Sequence, residues 1–172
     1  MIKLIGACMA LAACGGMGLT WARNYQNRPR QLSALQQSLQ LLETEIIYGA
    51  TPLPEAMELV AARSNRESAG LFQLTAAEFR KMDGVTAGEA WDKAVKMFYP
   101  DSALSDTDLQ VLKRFGVTLG ASDKEDQAKH LQLTMNQLKM AAAEAETDAR
   151  KHSTVYRYLG FLGGLFLVLI IY

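Results

Sequence analysis

The sequence predicts an all-α fold, a bundle of about six helices between two apolar ends, and three features predict it. The four prolines all precede residue 101, so the last third is free of breakers. Apolar residues recur at spacings of three and four. Capping signals such as Thr86-Ala87-Gly88-Glu89 and Ser122-Asp123-Lys124-Glu125 divide the chain into segments. At 172 residues, with 18 basic and 18 acidic side chains, it has the size of one domain and no net pull towards nucleic acid. Cys8 and Cys14 both lie in an apolar run, which excludes a disulfide framework and a Cys-based zinc site, and His130 and His152 are too far apart to replace one.

The first element is the run Leu4 to Trp21, which contains no charge and is just long enough to cross a bilayer as a helix. Its counterpart, Tyr158 to Tyr172, is also uncharged, but its fifteen residues are short for a span unless Tyr156 and the stem of Arg157 help. An apolar N-terminus fits a cleaved secretory signal, a lipoprotein signal or an uncleaved membrane helix. Leu11-Ala12-Ala13-Cys14-Gly15 has lipobox form, which would make Cys14 an acylated residue of an extracytoplasmic binding module. Charge decides against it. Arg23, Arg28 and Arg30 follow the first run and Arg150, Lys151, His152 and Arg157 precede the second, so both basic flanks lie on the middle segment. The positive-inside rule then places the middle in the cytoplasm and both termini on the far side. The expected organisation is a transmembrane helix over 1–22, a cytoplasmic helical domain over 23–157 and a second transmembrane helix over 158–172. Trp21, Tyr25, Tyr156, Tyr158 and Tyr172 fall where interfacial rings are expected. Gly6 and Ala10, Ala12 and Gly16, and Gly160 and Gly164 are small residues four apart, a spacing that permits close helix packing in lipid.

In the middle segment, Pro29 suits the first residue of a new helix. Its seam is Leu32, Leu35, Leu39, Leu42 and Ile46, with Gly49 as a left-handed stop. Thr51-Pro52-Leu53-Pro54 supplies a cap and an early proline for a short helix that turns Ala56, Leu59 and Val60 inward and ends at Ser64-Asn65. A third helix, about Glu67 to Met82, presents Leu71, Leu74, Ala77, Phe79 and Met82 and closes at Asp83-Gly84. The Thr86 capping box opens a fourth with Trp91, Ala94, Val95 and Phe98, stopping at Tyr99-Pro100. Ser105 caps a fifth with Leu109, Val111, Leu112 and Phe115, ended by Gly116. The last helix is long. Its seam narrows from Leu131, Met135 and Leu138 to Ala142, Ala145 and Ala149, and Glu125–Lys129 and Glu146–Arg150 are favourable pairs on it. Its natural neighbour is the Leu32 to Ile46 helix, running antiparallel.

No phosphate-binding loop and no nucleophile elbow occurs. Glu43 and Glu45 point to different sides of a helix, and Asp123, Glu125 and Asp126 are explained by the macrodipole at a helix N-terminus. Asp126 and His130 make an incomplete metal site. The arginines between 23 and 30 read as a topology determinant before a lipid-headgroup site. No catalytic residue, metal or cofactor is assigned.

MIKLIGA, then RPRQLSALQQSLQLLETEIIYGATPLPEAM, GVTAGEAW and LKRFGVTLGASDKEDQAKHLQLTMNQL, followed by an apolar helix, cover nearly the whole chain in order. Together they resemble the stage III sporulation protein AB family of endospore-forming Firmicutes. The apparent lipobox is a departure from that pattern. The resemblance implies a component of the channel-like complex joining mother cell and forespore, similar to the inner-membrane platform protein of type II secretion and type IV pilus systems. It implies a secretion-type ATPase, stage III sporulation protein AA of the same operon, as partner, alongside other membrane components and membrane lipid. Arg28, Arg30, Glu43 and Glu45, charged and off the apolar seam, are the candidate contacts for that ATPase. Self-association as a homo-oligomer stays open.

Overall fold

The computed structural model describes residues 27–81, 84–121 and 123–171. Among these residues every regular element is helical: α1 (27–47), α2 (Leu53–Arg63), α3 (Arg66–Arg80), α4 (Ala87–Phe98), α5 (Asp106–Thr118) and α6 (Lys124–Ile171), with a 3-10 turn at Tyr99–Asp101. Neighbours in sequence run antiparallel. Arg80 pairs with Glu58 between α3 and α2, Lys93 with Glu78 between α4 and α3, and Tyr99 reaches Asp106 at the start of α5. One end of the bundle therefore gathers the starts of α1, α3 and α5, and the other gathers the α1–α2, α3–α4 and α5–α6 turns. At the second end Gly120 has φ 74°, and a Cβ there would lie 2.9 Å from the Cβ of Ala87, so the turn needs glycine on both counts.

The α1 seam, Leu32 to Ile46, and the α6 seam, Leu131 to Ala145, are both buried in one core. Gln132 Nε2 donates to Glu43 Oε1 at 3.0 Å across the pair, and Arg28 at the other end of α1 feels Glu144 and Asp148 of α6. The two helices are thus side by side and antiparallel, as the matched seams predict. Trp91 fills the centre of the remaining helices. Its Nε1–H donates to the Leu112 carbonyl at 2.8 Å, and its ring meets Phe72 and Phe115 edge-on at 5.7 and 5.1 Å.

Several expected boundaries differ for physical reasons. Helix α1 is already under way at residue 27, so Pro29 lies within it. The left-handed residue after α1 is Ala50, φ 49°, and not Gly49; at Gly49 a Cβ would instead sit 2.8 Å from the Glu45 carbonyl oxygen. Thr51 does not cap α2. Its hydroxyl donates back to Glu45 Oε2 at 3.0 Å, Pro52 takes the cap position, and Met57 is buried where Leu59 was expected. In α3 the buried face carries Phe72, Thr75 and Ala76 ahead of Leu74 and Phe79. Thr75 is accommodated there because its hydroxyl donates to the Leu71 carbonyl at 2.9 Å. Helix α5 continues through Gly116 to Thr118, and the glycine makes room for Trp91, since a Cβ at 116 would lie 2.6 Å from its ring. Asp123 caps α6 by accepting from the Asp126 amide at 2.9 Å, and Lys129 pairs with Asp126 in place of Glu125. Ser122, Met82 and Asp83 lie outside the described residues.

Helix α6 runs 48 residues without a break, from the bundle into the C-terminal apolar run, so residues 158–171 continue the last bundle helix. Among the described residues no helix is long and apolar enough to cross a membrane. The first expected span, 1–22, lies outside the described residues, as do Gly6, Ala10, Ala12 and Gly16; Gly160 and Gly164 fall within α6.

Candidate functional site

The end of the bundle where α1 begins is held by a charged clasp. Ser105 and Asp108 form the capping box of α5: the Ser105 amide donates to Asp108 Oδ2 at 2.9 Å and the Asp108 amide to Ser105 Oγ at 3.3 Å. Arg28 of α1 then donates to both carboxylate oxygens, Nε to Oδ2 at 2.8 Å and Nη2 to Oδ1 at 3.0 Å, and to Ser105 Oγ at 3.2 Å. This is the two-pronged geometry in which guanidinium pairing with carboxylate is strongest. The Asp108 side chain is 1% exposed and that of Arg28 21%. Burial pushes the Asp108 carboxyl up, but hydrogen bonds from Arg28 and Ser105 outweigh it and hold the group below its ordinary value. Bonding to Asp108 raises Arg28 above its own ordinary value against the opposing effect of burial.

Next to the clasp opens a cleft of about 540 Å³ between the starts of α1 and α3 and the end of α4, lined by Arg30, Arg66, Glu67, Phe98 and Asp101 among others. Gln31 forms its floor. It donates to the Glu67 carbonyl at 3.0 Å and accepts from the Ala103 amide at 2.7 Å, so one side chain ties α1, α3 and the turn after α4 together. Charges of both signs line the opening.

The four expected partner contacts are not one patch. Arg28 is committed to Asp108, and Glu43, expected on a solvated face, is buried against Gln40 at 2.6 Å and Gln132 at 3.0 Å. Glu45 accepts from Arg63 at 2.9 Å and from Thr51. Arg30 is exposed on the cleft. Fifteen residues of helix, about 22 Å, separate Arg28 from Glu43, placing the two basic candidates at one end and the two acidic ones towards the other. The sequence marks Ser105 only as a cap and does not reveal Asp108 and Gln31 as cross-links, since their partners lie 36 to 80 residues away. Among the described residues no group of three or more His, Cys, Asp or Glu side chains is placed to hold a metal ion.

Comparison with known proteins gives one consistent result. Residues 3–172 match the family model described as stage III sporulation protein AB. The chain is 36% identical over 171 residues to stage III sporulation protein AB of Bacillus subtilis (strain 168), covering 99% of each chain. A solved structure of a stage III sporulation protein AB matches with a TM-score of 0.67 at 35% identity, covering 72% of this chain and 97% of that one. The chain belongs to the stage III sporulation protein AB family, whose members are sporulation proteins.

Proposed function

We propose that this protein is a non-enzymatic inner-membrane platform of the sporulation-specific, secretion-like channel between mother cell and forespore, required for spore formation. It is anchored in the mother-cell membrane by both apolar ends, contacts lipid and the other membrane components there, and keeps its bundle in the cytoplasm. The observation that carries the reading is the shared exit. Helix α1 starts and α6 leaves at the same end of the bundle, and in the sequence each adjoins an apolar run, 4–21 and 158–172, whose basic flank lies on the bundle side. Family membership supports the sporulation role.

The opposite end is then free for the secretion-type ATPase of the same operon, stage III sporulation protein AA. There Tyr48 is 83% exposed and Val117 77%, apolar side chains of the kind that anchor partner contacts, and Glu45 with Arg63 adds charge beside them. The test is co-purification of that ATPase with the tagged full-length protein from detergent-solubilised membranes. Recovery of the ATPase is expected, with loss in a Tyr48→Glu/Val117→Glu variant whose Trp91 emission is unchanged. No recovery with the unaltered protein would overturn the docking role. The LAAC-G string supports a second reading, a surface lipoprotein, which requires fatty-acid labelling that disappears in Cys14→Ser.

A further inference from the structure

We propose that the outward face of α6 is a contact surface for a second copy of this chain, the two long helices running parallel. The proposal goes beyond the platform reading and rests on it for orientation, since copies anchored in one membrane by the same ends stand the same way round. Along α6 the residues Leu133, Asn136, Met140, Ala143 and Thr147 follow one another at spacings of three and four, and all five are exposed. Leu133 is 55% and Met140 73% exposed. Each stands two residues, about 200° around the helix, from a residue of the buried seam, Leu131 or Leu138, so this face points away from the core. Helix α6 thus carries heptad seams on opposite sides, and among the described residues only the inner one is covered.

Charge identifies the occupant. In a parallel pair of helices the residue just before a heptad's first seam position faces, on the partner, the residue five further along. With Leu133, Met140 and Thr147 as first positions, the facing pairs are Gln132 with Gln137, Lys139 with Glu144 and Glu146 with Lys151 of the second copy. Two pairs are opposite in sign, one is neutral and none is repulsive, and twofold symmetry makes each pair twice. All four charged residues are exposed. Lys139 and Lys151 make no ion pair with another described residue, and Glu146 has only a 3.9 Å contact with Arg150. Lys129 and Arg150 bound the seam at about two heptads, which is short for two free molecules but is aided where a membrane already concentrates the copies.

The test is disulfide trapping of the full-length protein in membranes. A Cys8→Ser/Cys14→Ser background carries Leu133→Cys, Met140→Cys or, as a control, Met97→Cys on α4, a position 56% exposed. After mild oxidation the first two are expected to give a thiol-reversible dimer about fivefold above the control. Equal yields from all three would overturn the proposal. So would a dimer from Met140→Cys alone, because helices crossing antiparallel at 140 bring only that position level with itself. Lys139→Glu is expected to lower the Leu133→Cys dimer about threefold, and Glu144→Lys added to it to restore the yield. Residues five apart on one helix do not meet, so that rescue reports contact between copies; a yield that neither substitution moves would refute the parallel pairing. Alkaline extraction of the same membranes reads the underlying assumption separately: protein that stays in the pellet without the expected cross-links refutes the α6 contact alone, and protein released to the supernatant refutes the membrane reading.

Discussion

Replacing Arg28 with methionine tests the clasp that closes the bundle. Methionine keeps the length and apolar stem of the side chain but leaves the Asp108 carboxylate, 1% exposed, without its cation. Removing one partner of a buried ion pair costs about 3–5 kcal/mol. Arg28 is 21% exposed and Ser105 still donates to Asp108, which reduces the loss to about 2–3 kcal/mol. For a chain of this size that lowers Tm by about 4–12 °C. The pH dependence follows from Asp108, whose folded-state carboxyl is held below its ordinary 3.8. Its contribution is complete above 3.8 and disappears as pH falls through the lower folded-state value, so the gap between the two proteins narrows in acid. The assay is urea unfolding in detergent, followed by Trp91 emission in a Trp21→Phe background at pH 7 and pH 3. A gap under about 0.5 kcal/mol at pH 7, the scatter typical of surface substitutions, would refute the assignment. So would a gap that does not narrow at pH 3.

Other substitutions probe the rest of the bundle. Gly116→Ala places a Cβ 2.6 Å from the Trp91 ring, so a loss of about 1–3 kcal/mol is expected with a red shift of Trp91 emission; an unchanged spectrum and midpoint would contradict the close approach. Ala50→Gly relieves a positive φ of 49°, and a gain of up to about 1 kcal/mol in the urea midpoint is expected after the added flexibility of the unfolded chain is offset. Glu43→Ala removes the acceptor shared by Gln40 and Gln132, lowering stability by about 1–2 kcal/mol, whereas Glu43→Gln retains an acceptor oxygen and loses less; equal losses would show that hydrogen bonding is not its role.

The features legible in the sequence are those set by local rules. The α1 and α6 seams, the Thr86–Glu89 and Ser105 caps and the Tyr99-Pro100 stop depend on residues within one or two turns of each other, and each is where periodicity and capping place it. The features that were not legible depend on distant partners. Gly116 reads as a helix end until Trp91 is packed on it, and Thr75 is absent from the apolar face the sequence suggests because the Leu71 carbonyl that satisfies its hydroxyl leaves no mark in the pattern. Glu43 reads as solvated because nothing nearby in sequence announces Gln132, 89 residues away. The same limit split the four candidate contacts. They share one helix, which suggests one surface, yet Arg28 is bound to α5 and Glu43 faces α6.

Topology tests the central claim most directly. Single cysteines placed at the extreme N-terminus, at Gln127 and after Tyr172, in the Cys8→Ser/Cys14→Ser background, are exposed to a membrane-impermeant thiol reagent on intact cells and again after permeabilisation. The account predicts labelling of both ends from outside and of position 127 only after permeabilisation. Labelling of position 127 on intact cells would put the bundle outside, remove any contact with a cytoplasmic ATPase, and contradict the platform role.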